Sequence, residues 1–322
     1  MKIKLIGYIA LIISFLGCKN ELKINAPYKD MAVIFCFLDQ NEPIQYIRIE
    51  KLYQNSVNSS TSAGAQITDS LYFDTLIVKI INIVTKDTFN CYRVDTIPKN
   101  EGFFSSGRNT IYATSIPKKN DDDEVYQLLV TNPKNNKTFS SQTSLVKDAI
   151  IEYRKITIRL SPASHSFSFR FISGKNSFLY DLIVRYQYKE MNINETDPNI
   201  FEIKNVDYYV ARSSIFPQNE NCFSNINSRA YLDFLKLKIL KDDTKKRKTI
   251  GISFQTYGGS QEFLRYLELT KPSIGIAQKN TEYSNISNGL GIFTSRNFNQ
   301  LNMGLEPTTV SVIEGELPNF TP

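Results

Sequence analysis

Phe178-Leu179-Tyr180-Asp181-Leu182-Ile183-Val184-Arg185-Tyr186-Gln187-Tyr188-Lys189 alternates with a period of two. Phe178, Tyr180, Leu182, Val184, Tyr186 and Tyr188 share one face; Leu179, Asp181, Ile183, Arg185, Gln187 and Lys189 share the other. That period belongs to a strand with one face buried and one exposed, the habit of antiparallel sheets. Phe167, Phe169 and Phe171 alternate in the same way upstream, and residues 201–212 form a further strand. Toward the N-terminus, Met31-Ala32-Val33-Ile34-Phe35-Cys36-Phe37-Leu38 is apolar on both faces, as a strand inside a sandwich is. Residues 44–53, 76–84, 110–116, 125–131 and 137–143 add strands separated by turn signals. Strands at intervals of about 8–12 residues indicate a β-sandwich. Aromatic residues make up 12% of the chain and fall in these alternating runs, so most of them read as β core.

The chain has 322 residues, enough for two domains of about 100–200 residues each. The segment 144–148 is the candidate boundary between residues 31–147 and 148–305, with a loose tail over 306–322. One helix is expected after Ser260, with Ser260 as its cap, Glu262 in its first turn and Pro272 beyond its end. Leu235, Leu237 and Ile239 alternate with Lys236 and Lys238 and read as another strand. The segments 192–199 and 218–228 read as exposed polar loops. The fold class is therefore all-β: a sandwich followed by a second antiparallel β-rich domain with one short helix.

The first residues give the address. Lys2 and Lys4 precede an uncharged apolar run, Leu5 to Gly17, and Cys18 follows directly. The run is shorter than the ~20 apolar residues of a spanning helix. It reads as a secretory signal over 1–17, with Cys18 as the lipidated residue and 18–30 as a tether. More than one acyl chain, at about 0.8 kcal/mol per buried CH₂, anchors stably.

The formal net charge is +6 over the whole chain, and Lys2 and Lys4 leave with the signal. So small a surplus argues against a nucleic-acid partner. Basic residues cluster only between Lys236 and Lys248, where Asp242 and Asp243 partly offset them. A solvated hairpin tip explains that run more simply than an anionic-lipid patch. The acidic run Asp121-Asp122-Asp123-Glu124 lacks calcium-loop spacing and reads as a solvated turn. Cys36, Cys91 and Cys222 remain once Cys18 is lipidated; three free thiols is the plainer reading, and a Cys36–Cys91 disulfide stays open. No cysteine or histidine spacing suggests a metal, and nothing calls for a cofactor.

An enzyme is not expected. The chain has one histidine, His165, in Ser164-His165-Ser166, and no GxSxG, HExxH or Walker loop. For binding, Tyr208 and Tyr209 are the candidate ligand-facing residues, along with the Tyr180, Tyr186 and Tyr188 face, since tyrosines stack on sugars or peptides.

Asn285-Ile286-Ser287-Asn288-Gly289-Leu290-Gly291-Ile292-Phe293 resembles the closing motif of an uncharacterised lipoprotein family of Bacteroidota. Phe37-Leu38-Asp39 followed by Tyr46-Ile47-Arg48-Ile49 looks like that family's opening. The resemblance implies an immunoglobulin- or fibronectin-like first domain, a β-rich second domain and an outer-membrane address, often beside TonB-dependent β-barrel transporters. The family carries a domain of unknown function, so no catalytic residue is implied. Its glycines read as structural, at a turn and a close strand approach. Asp69-Ser70-Leu71, Asp74-Thr75-Leu76 and Asp95-Thr96-Ile97 look like the Asp-Ser/Thr-aliphatic O-glycosylation acceptor of some Bacteroidota, which marks Ser70, Thr75 and Thr96. The expected role is a lipid-anchored outer-membrane binding or accessory protein, with a surface structural protein or adhesin as the alternative.

Overall fold

The structure, a computed structural model, describes residues 31–52, 71–98, 109–118, 124–152, 157–158, 166–270 and 283–320. Strands in the first half are β1 (Ala32–Asp39), β2 (Gln45–Lys51), β3 (Ile77–Asn82), β4 (Thr88–Val94), β5 (Ile111–Thr114), β6 (Val125–Asn132) and β7 (Lys137–Ser144). Strands β8 (Ile150–Ile151), β9 (Thr157–Ile158), β10 (Phe167–Ile172), β11 (Leu179–Asn192), β12 (Glu202–Ser214) and β13 (Asn221–Ile226) follow. The chain then forms α1 (Ser228–Lys238), β14 (Lys245–Gly259), α2 (Gln261–Thr270), β15 (Leu290–Leu305) and α3 (Pro307–Glu316). The fold is mostly β, a long and largely antiparallel sheet with a second, small sheet. Among the described residues there are three short helices where one was expected.

Two cores form. Alternate residues of β1, β2, β3 and β6 (Ile34, Cys36, Ile47, Ile80, Leu128) bury one core together with Phe139. Phe167, Phe169 and Phe171 meet Leu182, Val184, Tyr186 and Phe254 in the other. There the Phe169 and Phe254 rings cross edge to face at 4.8 Å, the geometry the ring quadrupole favours.

The sheet does not divide with the cores. Its strands run in the order β12-β11-β14-β15-β1-β2-β5-β4-β3-β6-β7, with β9 beside β15, and β13-β10-β8 forms a second, small sheet. The first half of β15 lies parallel to β1, from Val33↔Leu290 to Asp39↔Arg296. Its second half is antiparallel to β14, from Gly259↔Arg296 to Ile252↔Met303. Just before β15, Ser287 bridges to Ser140 on β7. Ile286 and Phe293 consequently sit in the first core, although they lie beyond residue 148.

Three readings need correction. The segment around Leu235 is helix α1, not a strand. Asn227 caps it, its side chain accepting from the Ala230 amide, and Tyr231, Leu232 and Leu235 face the core while Leu237 is 76% exposed. The tail is not loose: Pro307 opens α3 at a position where proline is tolerated, and Ile313, Leu317 and Phe320 pack into the second core. The segment 218–228 is not a free loop, because β13 pairs with β10 along its length and buries Cys222.

Candidate functional site

In the second half the sheet buries one face under β10, α1 and α3 and turns the other outward. The phase of each strand decides which side chains show. On β11, Tyr180, Tyr186 and Tyr188 point into the core and are buried, so they are not a ligand platform. Tyr208 on β12 points the same way, edge to face with Tyr231 at 5.3 Å and Phe234 at 5.1 Å, and is likewise not ligand-facing. Tyr209, its neighbour, must face outward and does: it is 41% exposed, with the Arg212 guanidinium 3.7 Å from its ring centroid.

The outward face is built from residues that cross-strand pairing brings together. Ile183 lies between Tyr209 on β12 and Gln255 on β14. Tyr257 and Phe298 are paired on β14 and β15, their rings tilted by 36° at 4.7 Å. Arg185 holds Asp207 with two bonds, Nε to Oδ1 at 2.6 Å and Nη2 to Oδ2 at 2.8 Å, so this carboxylate is committed to its partner. Amides run across the rest: the Gln255 amide nitrogen donates to Gln300 Oε1 at 3.1 Å, that of Gln300 to Asn302 Oδ1 at 3.1 Å, and that of Gln187 to Asn205 Oδ1 at 3.0 Å. Gln255 is 1% exposed, and its carbonyl oxygen has no hydrogen-bond partner. Burial pushes the Tyr257 phenol above its ordinary range, so it stays a neutral donor. The face offers ring surfaces for stacking and amides for hydrogen bonding. Among the described residues it offers no free carboxylate pair and no nucleophile beside a base.

A second polar cluster stitches the halves together. Asp148 Oδ1 accepts from Gln40 at 2.8 Å, Asn41 at 2.9 Å and Asn297 at 2.6 Å, and Oδ2 from Lys118 at 2.9 Å. Beside it, Lys147 donates to buried Glu124 at 3.1 Å, which Tyr126 also contacts at 2.9 Å. Glu124 is thus part of the core boundary; Asp121, Asp122 and Asp123, the rest of the run read as a solvated turn, lie outside the described residues. A cleft of about 400 Å³ opens here between Lys147, Asp148, Ile172, Gly174 and Asn219. Gly174 backs so closely on Lys147 that an added Cβ would lie 2.0 Å from that carbonyl oxygen. With the charges of Lys147 and Asp148 already spent, the cluster is a joint between the halves.

Cys18, Ser70 and His165 lie outside the described residues. Thr75 and Thr96 are both exposed, one before β3 and one after β4. Arg93 links their loops, donating to the Asp74 carbonyl at 2.9 Å and to Asp95 at 3.0 Å. Cys36, Cys91 and Cys222 are free thiols. Burial pushes Cys91 up to about 12 and Cys36 higher still, so neither is a ready nucleophile. The basic run folds into pairs: Arg247 to Glu190 at 2.8 Å, Lys236 to Glu316 at 2.5 Å and Lys241 to Asp243 at 2.9 Å. Among the described residues no three His, Cys, Asp or Glu converge as metal ligands, and no helix is long and apolar enough to cross a membrane. Sequence reasoning passed over Tyr257, Phe298, Arg185, Asp207 and Gln255; the alternation on β11 already set Ile183 and Arg185 on the face opposite the tyrosines.

No family model matches the chain, and no curated protein matches it. Among solved structures, the crystal structure of CBD12 from CALX1.2 is similar over 84% of this chain and 99% of its own, at 8% identity and a TM-score of 0.17.

Proposed function

We propose that the chain is a lipid-anchored outer-membrane protein that binds without transforming its ligand, as an accessory to a TonB-dependent β-barrel transporter. The observation that carries this reading is the outward face of β12-β11-β14-β15, where Tyr209, Tyr257 and Phe298 stand among hydrogen-bonding amides. The geometry supports it. Strand β1 starts beside the start of β15, and β15 leads away from that end. At about 3.3 Å per residue, the stretch from Leu290 to Met303 carries the second half roughly 40 Å from the point of entry. The second half can thus lie over a partner that is seated about 40 Å from the point of entry.

The full chain, tagged and extracted in mild detergent, is expected to carry a barrel in stoichiometric amount. The triple variant Tyr209→Ala, Tyr257→Ala, Phe298→Ala should lose that barrel by about tenfold or more, since stacked aromatic anchors dominate such contacts. Cys18→Ser should move the chain out of the membrane fraction. A chain that purifies alone, or one whose membrane partitioning ignores Cys18, contradicts the reading.

A further inference from the structure

One edge of the long sheet is closed and the other is not. At β7 the Ser287 amide donates to the Ser140 carbonyl at 2.8 Å and the Asn288 side chain to Thr138 at 3.0 Å, which covers that edge. At the opposite end β12 is the terminal strand, and among the described residues no strand pairs with its far side. It contains no proline and exposes Ile203 by 56% and Tyr209 by 41%. Natural proteins blunt such edges, because a row of unpaired amides and carbonyls is a template for another strand.

The phase of that row can be read. The Ile193 amide donates to Thr244 on the β14 side at 2.8 Å. On β11, odd-numbered residues therefore turn their backbone groups to β14 and even-numbered ones to β12. The β14 side agrees, since Arg247 and Thr249 turn their amides away from β11, to the Asn319 carbonyl and to Glu314. Glu202, Lys204, Val206 and Tyr208, paired with even-numbered residues of β11, spend their backbone groups there. Ile203, Asn205, Asp207 and Tyr209 direct theirs away from the sheet, with their side chains on the outward face.

We infer that this edge pairs with the β12 edge of a second copy of the chain, antiparallel about a two-fold axis at Val206. The sequence around that centre complements itself. Ile203 falls opposite Tyr209 of the copy, and Asn205 opposite Asp207, each pair exchanging two backbone bonds. Lys204 meets Tyr208, and Val206 meets its own copy. Neighbouring centres are worse: one at Asp207 sets two carboxylates face to face, one at Asn205 sets Ile203 against Asp207, and one at Tyr208 sets Lys204 against Arg212. Such a contact is isologous and closes as a dimer. It would join the two outward faces into one surface across the axis.

The test uses the full chain purified in detergent. Sedimentation should give a dimer. Asn205→Pro removes an amide that faces away from β11, a place where an edge strand tolerates proline, and should weaken dimerisation by about tenfold or more with thermal unfolding little changed. Val206→Cys should form a disulfide-linked dimer under mild oxidation, because the two residues face each other in a non-hydrogen-bonded pair. A wild-type monomer with no Val206→Cys cross-link overturns the inference, as does a dimer that both forms with Asn205→Pro and fails to cross-link at position 206.

Discussion

Gly291→Ala is expected to destabilise the protein by about 3–5 kcal/mol, the sum of a strained backbone and an overpacked contact. Gly291 has φ +105°, a conformation that L side chains rarely adopt. An added Cβ would lie 2.0 Å from the Ile34 carbonyl oxygen and 2.9 Å from the Ile34 nitrogen. Those atoms belong to β1 at the parallel pair Ile34↔Gly291, so relief requires the two strands to part. Parting them withdraws Phe293 from the first core and unfastens the one strand both halves share. Denaturant titration should show the loss in midpoint. Gly315→Ala is the control: it sits within α3 with nothing within 4 Å of an added Cβ, and alanine there should add about 0.5–1 kcal/mol.

Asp148→Ala should cost about 2–3 kcal/mol, because Gln40, Asn41, Asn297 and Lys118 lose their shared acceptor and Asn297 is buried. Burial alone would raise the Asp148 carboxyl. The donors from Lys118, Asn41, Asn297 and Gln40 outweigh it and hold the group at about 2, below the ordinary 3.8. A carboxyl depressed on folding stabilises above its unfolded value and loses that contribution as pH falls through the folded one. The window is therefore from about pH 4 down to about pH 2. The side chain is 35% exposed, so the charge-dependent share is discounted for solvent screening to about 1–2 kcal/mol. The gap in thermal stability between wild type and Asp148→Ala should be full at pH 6 and narrow clearly by pH 3. Asp39, whose carboxyl burial holds above its ordinary value, titrates in the opposite sense; the Asp148 charge adds to that rise, so Asp148→Ala removes this smaller opposing contribution as well.

Some of this was open to reading from the residues alone. The alternation over 178–189 marks β11, and Ser260 with Glu262 marks α2, because both signals are local in the chain. Helix α1 was hidden because Leu235, Leu237 and Ile239 satisfy a period of two by coincidence. The burial of Tyr231, Leu232 and Leu235 follows the helical period, and Asn227 was its start signal. The tail was hidden because Ile313, Leu317 and Phe320 are sparse apolar residues whose partners, such as Tyr188 at 5.4 Å, lie far away in sequence. The sharing of β15 was out of reach, since its pairing with β1 joins residues from opposite ends of the chain. The outward face shows a subtler limit. Alternation says which residues stand together, but both faces of β11 carry apolar groups, and only packing under β10 decides that the tyrosines go inward. Adjacent Tyr208 and Tyr209 could never share a face.

The central claim is that β15 makes one body of the two cores, so that the outward face is held at a fixed reach from the chain's point of entry. Native-state hydrogen exchange under increasing denaturant tests it most directly, because it resolves the free energy at which each segment opens. Amides of β1, of β15 on both sides of Arg296, and of β14 should converge on one opening free energy. If β14 and the second half of β15 open as a unit while β1 and the first half of β15 stay protected, the halves are separate bodies and the claim is wrong.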